Sequence, residues 1–421
     1  MKKVLVITYY WPPSGGAGVQ RWVKFIKYFK DQNINPFIIS VDPDFASYPL
    51  IDNSLTKDIP DNTNVYLTKT NEPYSLYKKI NNNQTPYAGF ANEGRPNFFQ
   101  KIARFIRGNF FIPDSRKGWN NFAYKKAVEI LEKENIDTVI TTSPPHSTQL
   151  IGLKLKETQN IKWIADLRDP WTDIYYYKSM LHTKWAKQKD LNYEKRVIEK
   201  SDKVVVVSDS IKQLLLNKSN LVQESKIHII PNGFDEDDFL VSSKNNNSKF
   251  LLSYVGTITK DYPLDSIKKS ISNLNINLEF TGKADQPTKH LLNEVASFNN
   301  HVKHKESINL LLASDMLLLV IPKISNNKGI LTGKLFEYLG ARKPILCIGP
   351  TDGDAAKIIK ECKAGKTFDY SDENGIYDFI ETYMSNEFIF ENKNYLNYSR
   401  RNLTKNLSKI LTDMAENKKL L

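Results

Sequence analysis

The chain has 421 residues, enough for two or three domains, and its 40% hydrophobic and 11% aromatic residues are ample to fill their cores. Its net charge of +12 points to an anionic partner, which is nucleic acid, an anionic membrane surface or an anionic small molecule. No nucleic-acid motif is present and no window approaches the ~18 apolar residues of a membrane span, so the first partner and an integral membrane protein are set aside.

Taken in order, Lys3 to Thr8 reads as a strand, too short an apolar run for a signal peptide. Tyr9-Tyr10-Trp11-Pro12-Pro13 and Ser14-Gly15-Gly16-Ala17-Gly18 follow. Val19, Trp22, Val23, Phe25, Ile26 and Phe29 then trace one helical face, and Pro36 to Val41 is the next strand. This is a βαβ unit with a glycine-rich first turn. Gly15 and Gly16 let backbone approach a ligand, and the helix N-terminus behind them suits an anion. The dinucleotide fingerprint is not met, because Arg21 stands where a third small residue is needed for close helix–strand packing. A nicotinamide enzyme is disfavoured.

Residues 43–120 read as irregular, with a helix over Phe98 to Arg107 that Gly108 is expected to stop. That helix interleaves Phe98, Phe99, Ile102, Phe105 and Ile106 with Lys101, Arg104 and Arg107. Such a segment can lie on an anionic membrane. The favoured reading is the ordinary one, a helix packed on its own domain with its basic residues facing water.

Asp137 to Thr142 and Lys162 to Ala165 are strands, and helices are expected from Ser147 and over Lys184 to Lys200. The two strands end in Ser143-Pro144-Pro145-His146 and Asp166-Leu167-Arg168-Asp169-Pro170-Trp171. Open α/β sheets place their sites at such strand ends. His146, Arg168 and Asp169 are therefore the catalytic candidates, set against the alternative that they only form turns. Strands follow at Lys203 to Val207 and Ile227 to Ile230. Asp235 to Asp238 reads as an exposed turn and helix start rather than a cation site. His301 and His304 read as a surface pair, with no third ligand for a metal.

Ser242 to Lys249 is a polar linker, and the βα alternation restarts after it. The expected organisation is an N-terminal domain over 1–241, a second doubly wound domain over 250–385, and a terminal helix pair over 386–421. The second domain holds the most suggestive stretch, Gly329 to Pro344, between buried strands at Met316 to Ile321 and Ile345 to Ile348. Cys347 falls in the latter strand and reads as an inert core thiol. With Cys362 it is too few for a disulfide framework, which favours a reducing, cytoplasmic setting. Leu335, Phe336 and Leu339 recur at helical spacing, so Thr332, Gly333 and Lys334 deliver the chain to a helix N-terminus. That terminus suits a phosphate, and Glu337 one turn in suits the hydroxyls of a ribose.

V-L-V-I-T-Y-Y-W-P-P-S-G-G-A-G, D-L-R-D-P-W, V-V-V-V-S, I-I-P-N-G-F-D, Y-V-G-T and K-L-F-E-Y-L occur in that order over most of the chain. Together they resemble the GT-B glycosyltransferases, family 4 in particular. The resemblance implies two Rossmann-like domains facing across a cleft, the acceptor on the first and a nucleotide-sugar donor on the second. It implies sugar transfer with retention and no required metal or other cofactor. The acceptor is then a glycan or lipid-linked molecule of cell-surface polysaccharide synthesis, and the enzyme is cytoplasmic or peripheral on the inner membrane face. Glu337 looks like the family's ribose-binding glutamate. Thr332, Gly333, Lys334 and Leu335 would meet the donor phosphates, and Gly15 and Gly16 would face the diphosphate or the acceptor from the other side. The sequence departs from the pattern at Gly329, where a glutamate usually contacts the donor sugar, and at Thr257, where an arginine is usual and Lys260 is the nearest substitute. A nucleotide-sugar epimerase or an inactive nucleotide-sugar-binding protein of the same shape are the alternatives.

Overall fold

The computed structural model describes residues 1–72, 98–240, 249–386 and 388–416. They fall into two compact units, Met1–Ile230 with Thr404–Leu421, and Pro231–Leu403.

In the first unit the short apolar runs form parallel strands. In chain order the elements are β1 (Lys2–Ile7), α1 (Ala17–Phe29), β2 (Ile34–Val41), β3 (Asn64–Thr68), α2 (Phe98–Phe110), α3 (Asn120–Glu134), β4 (Thr138–Ser143), α4 (Ser147–Thr158), β5 (Lys162–Leu167), α5 (Lys184–Lys200), β6 (Lys203–Val206), α6 (Asp209–Leu216) and β7 (Ile227–Ile229). The strand order is β3-β2-β1-β4-β5-β6-β7. Winding reverses between β1 and β4, which opens a crevice beyond their C-terminal ends.

The second unit repeats the plan with β8 (Phe250–Val255), α7 (Asp265–Ile271), β9 (Ile276–Thr281), α8 (Gln286–Leu292), β10 (Ala296–Asn299), α9 (His304–Ala313), β11 (Met316–Val320), α10 (Gly333–Ala341), β12 (Ile345–Ile348), α11 (Asp354–Glu361), β13 (Gly365–Phe368) and α12 (Glu373–Ser385). Its order is β10-β9-β8-β11-β12-β13, so the reversal lies between β8 and β11. The expected α/β fold of two doubly wound sheets is the one observed. Cys347 and Cys362 are buried, and burial pushes both thiols up to about 12.

Several expectations are corrected. The stretch read as irregular contains strand β3. Gly108 does not stop a helix, because α2 runs on to Phe110. A Cβ at Gly108 would stand 2.2 Å from the carbonyl oxygen of Met180, so the glycine is there for close chain approach. The basic residues of α2 do not all face water. Arg104 is only 7% exposed, while Ile102, Phe105, Ile106 and Phe110 are on the surface. The helix is held this way by Asn109, whose Nδ2 donates to Leu181 O at 3.0 Å and whose Oδ1 accepts from Thr183 N at 2.6 Å. The terminal helix pair is a 3-10 turn, Lys393–Tyr398, and one helix, α13 (Arg400–Glu416). Residues 242–248 of the expected linker and Phe99's side chain lie outside what is described.

Arg21 does sit in the close helix–sheet contact. It is fully buried and forms an ion pair with Asp166 at 3.1 Å, and its Nη2 donates to Ile230 O at 2.9 Å. Trp22 Nε1 and Thr142 Oγ1 donate to the same carboxylate at 2.9 Å and 2.8 Å. A buried charge is tolerated where its partners satisfy it this fully.

Candidate functional site

The second unit builds its site at the β8–β11 reversal. β8 is followed directly by Gly256, whose φ of +133° favours glycine. The chain leaving β11 turns back into α10, whose first turn arrives beside that glycine. The Lys334 side chain lies against it, and Lys334 Nζ stands 5.1 Å above the Tyr254 ring. Thr332 is the N-cap of α10, but its side chain makes no capping bond, and its hydroxyl oxygen is buried with no partner. Apart from its chain neighbours and its own helix, nothing lies within 4 Å of where a Cβ on Gly333 would be, so there is open space beside the start of α10. Leu335 is fully buried, so only its backbone is on offer to a ligand.

Glu337 follows one turn later, partly exposed at 27%. His304, at the start of α9, is 3.9 Å from it through Nδ1 and 3.2 Å from Asp238 Oδ2 through Nε2. His304 is thus not half of a surface histidine pair. It lies between two carboxylates and steadies the one on α10. Sequence reading missed it because 33 residues separate it from Glu337, and topology alone brings them together. Asp235 caps the 3-10 turn Glu236–Phe239, accepting from Asp237 N.

In the first unit, Gly15, Gly16 and His146 sit at the β1–β4 reversal. Gly15 N donates to Leu50 O at 3.0 Å, so that N–H is taken. Gly16 has φ +106° and open space around it. Arg168 reaches from the end of β5 to the first turn of α1, where a Cβ on Gly18 would be 2.4 Å from its Nη1. Its Nε donates to Ser143 O at 3.3 Å, and Asp169 lies 3.8 Å from its Nη2. The neighbouring α4 offers no open N-terminus, because Asp114 accepts from Ser147 N at 2.8 Å.

His146 stacks on Trp171 with centroids 4.9 Å apart and planes at 11°. Neither ring nitrogen has a hydrogen-bond partner. Burial first, then Arg168, lowers its pKa to about 3, so the ring is neutral at physiological pH. Trp171 is itself tied down, donating from Nε1 to buried Asp190 at 2.8 Å, and Tyr177 OH donates to the other oxygen at 2.9 Å.

The model of Glycosyltransferase Family 4 matches residues 87–238. No curated protein matches the chain in sequence. Among solved structures, a glycosyltransferase from Rickettsia africae superposes with a TM-score of 0.63 at 16% identity, over 99% of each chain. Sucrose-phosphate synthase from Thermosynechococcus elongatus gives 0.63 at 12%, over 99% of this chain and 100% of that one. HepE from Anabaena, in complex with UDP-glucose, gives 0.56 at 11% over 100% of both.

The chain has the GT-B fold of these glycosyltransferases.

Two features of the site in the second unit stand out electrostatically. Burial raises the pKa of Glu337, and His304 and Lys334 oppose that shift. Burial lowers that of Lys334, and Glu337 opposes it. A half-buried cation with one carboxylate beside it gains from an incoming anion. Lys260, the substitute expected for the missing arginine, is exposed. Its backbone N–H donates to Asp285 at 3.0 Å, and it is Lys334 that lies against Gly256.

Proposed function

We propose that the enzyme moves a sugar, with retention, from a nucleotide-sugar donor to a glycan or lipid-linked acceptor in cell-surface polysaccharide synthesis. The observation that carries this is the open N-terminus of α10, flanked by Lys334 and followed by Glu337. The N–H groups and Lys334 hold the donor diphosphate, and Glu337 accepts from the ribose hydroxyls. As the bond from the anomeric carbon to the phosphate oxygen breaks, charge builds on that oxygen, where these donors stabilise it. The acceptor oxygen bonds to the anomeric carbon, and its proton goes to the departing diphosphate. Protein groups rather than a metal ion supply the positive charge. The first unit takes the acceptor, near Gly16, Arg168, Asp169 and the neutral His146. The enzyme works on the cytoplasmic side, attached peripherally to an anionic membrane surface.

The test is a donor panel of UDP, GDP, dTDP and CDP sugars, read by thermal shift and then by product analysis. Glu337→Ala is expected to lose both donor binding and transfer. Full activity in that variant overturns the site. A second reading, a nucleotide-sugar-binding protein that transfers nothing, is favoured by the glycine at 329, and nucleotide binding with no turnover of any donor would establish it.

A further inference from the structure

Helix α2 is turned inside out. Its inward side carries Arg104 and Asn109, each 7% exposed, and its outward side carries Ile102, Phe105, Ile106 and Phe110. Those four recur at intervals of three, one and four, which puts them on one stripe of the helix. An apolar stripe left in water is costly, and here it is not free to roll inward. Asn109 is bonded to Leu181 O and Thr183 N, and Gly108 lies against the Met180 carbonyl. Beyond that anchor Leu181 and Trp185 are exposed too, Trp185 at 63%. Lys189 stands over the Trp185 ring at 4.7 Å.

The charge around this surface has one sign. Residues 98–113 contain no Asp or Glu, and Lys101, Lys184 and Lys187 are exposed. Apolar side chains with a tryptophan among them, edged by lysines, match the boundary between lipid headgroups and acyl chains. No helix among the described residues is long and apolar enough to cross a membrane, so contact would be made at the surface.

We infer that the outward face of α2, together with Leu181 and Trp185, is a docking surface for an anionic lipid bilayer. This names the surface for the peripheral attachment proposed above and rests on that reading. The apolar stripe enters the interface, and the lysines meet the headgroups. Attachment therefore weakens with salt.

The full chain is mixed with vesicles of equal phosphatidylglycerol and phosphatidylcholine, and with pure phosphatidylcholine, and floated at low and high salt. Binding is expected to the first, to fall with salt, and to be weak on the second. Phe105→Ser with Ile106→Ser should weaken binding by about tenfold or more. Lys184→Glu with Lys187→Glu should weaken binding to the anionic vesicles alone. Both pairs are exposed, so melting temperature and binding of a soluble donor should stay unchanged. Loss of donor binding in the wild type would sink the transferase reading and leave the lipid result intact. Wild-type protein that ignores the anionic vesicles, or a serine variant that binds them equally well, overturns the docking surface. So does a wild-type dimer that the serine variant disrupts without any vesicle binding, which would assign the face to a second copy.

Discussion

The side chain of Lys334 fills the space that a Cβ on Gly256 would need, with Cε 2.4 Å and Nζ 3.0 Å from that point. The first turn of α10 and the end of β8 therefore share one small volume, and the lysine is steered by an absence of side chain. Gly256→Ala should disturb both partners. The φ of +133° adds strain on the order of 1–3 kcal/mol, and the new methyl drives Lys334 away. Calorimetry should show weakened donor binding beyond what the fall in melting temperature accounts for.

The two lysines near the donor site make unequal predictions. Lys334→Ala should weaken nucleotide-diphosphate binding by about tenfold to a hundredfold, the usual worth of a hydrogen bond to a charged group. Lys260→Ala should change it by less than about threefold, as an exposed charge does. Equal effects in titration would put Lys260 back in the site.

Donor affinity should be narrowed from both sides in pH. The carboxylate of Glu337 is the form that accepts from hydroxyls, and its pKa is raised. Affinity is thus lost as pH falls, at a pH above the ordinary 4.5 of a glutamate. The ammonium of Lys334 is the form that holds phosphate, and its pKa is lowered. Affinity is lost again as pH rises, below the ordinary 10.5. Titrations across pH should give a bell, and Glu337→Gln should flatten its acid limb.

Gly18→Ala tests Arg168 without removing it. The added methyl would meet Nη1 at 2.4 Å, and the far end of a flexible side chain can swing away. Melting temperature should barely move, whereas transfer rate should drop if the guanidinium faces the acceptor. Donor binding should be untouched.

Asp190 sets a pH dependence of stability. It is 1% exposed, and burial raises its pKa to about 7 against an unfolded value of 3.8. The protonated form is the one favoured in the fold. Its contribution is fully present below the unfolded value and is lost as pH rises through about 7. Asp190→Asn keeps an acceptor for Trp171 and cannot ionise. Its melting temperature should therefore vary less than that of the wild type between pH 4 and 7, the window those two values bound.

Much of the plan could be read from local pattern. The runs Met316 to Val320 and Ile345 to Ile348 are apolar throughout because both faces of their sheet are covered, and they are the strands they read as. A helix N-terminus at Thr332 to Lys334, with Glu337 one turn in, needs only helical spacing. What was hidden depends on partners distant in sequence. His304 belongs with Glu337 only through the β8–β11 reversal. Arg21 looked unsuited to close packing because its partner, Asp166, is 145 residues away. The orientation of α2 was misjudged because amphipathicity fixes two faces but not which one meets the protein. Asn109 and Gly108 decide that, through contacts with residues 180–183.

Tyr370 carries a consequence for engineering. Its hydroxyl donates to Ile321 O at 3.0 Å and accepts from Asn327 Nδ2 at 2.9 Å, while the same amide reaches Pro322 O at 3.0 Å. These bonds cinch the base of the loop between Pro322 and Asn327, just ahead of Gly329. At its tip Ser325 is exposed, whereas Lys323 stands over the Tyr370 ring at 5.5 Å and Asn326 has a φ of +58°. Retargeting by library design can therefore start at Ser325, whereas a change at Tyr370 or Asn327 would slacken the whole approach to α10.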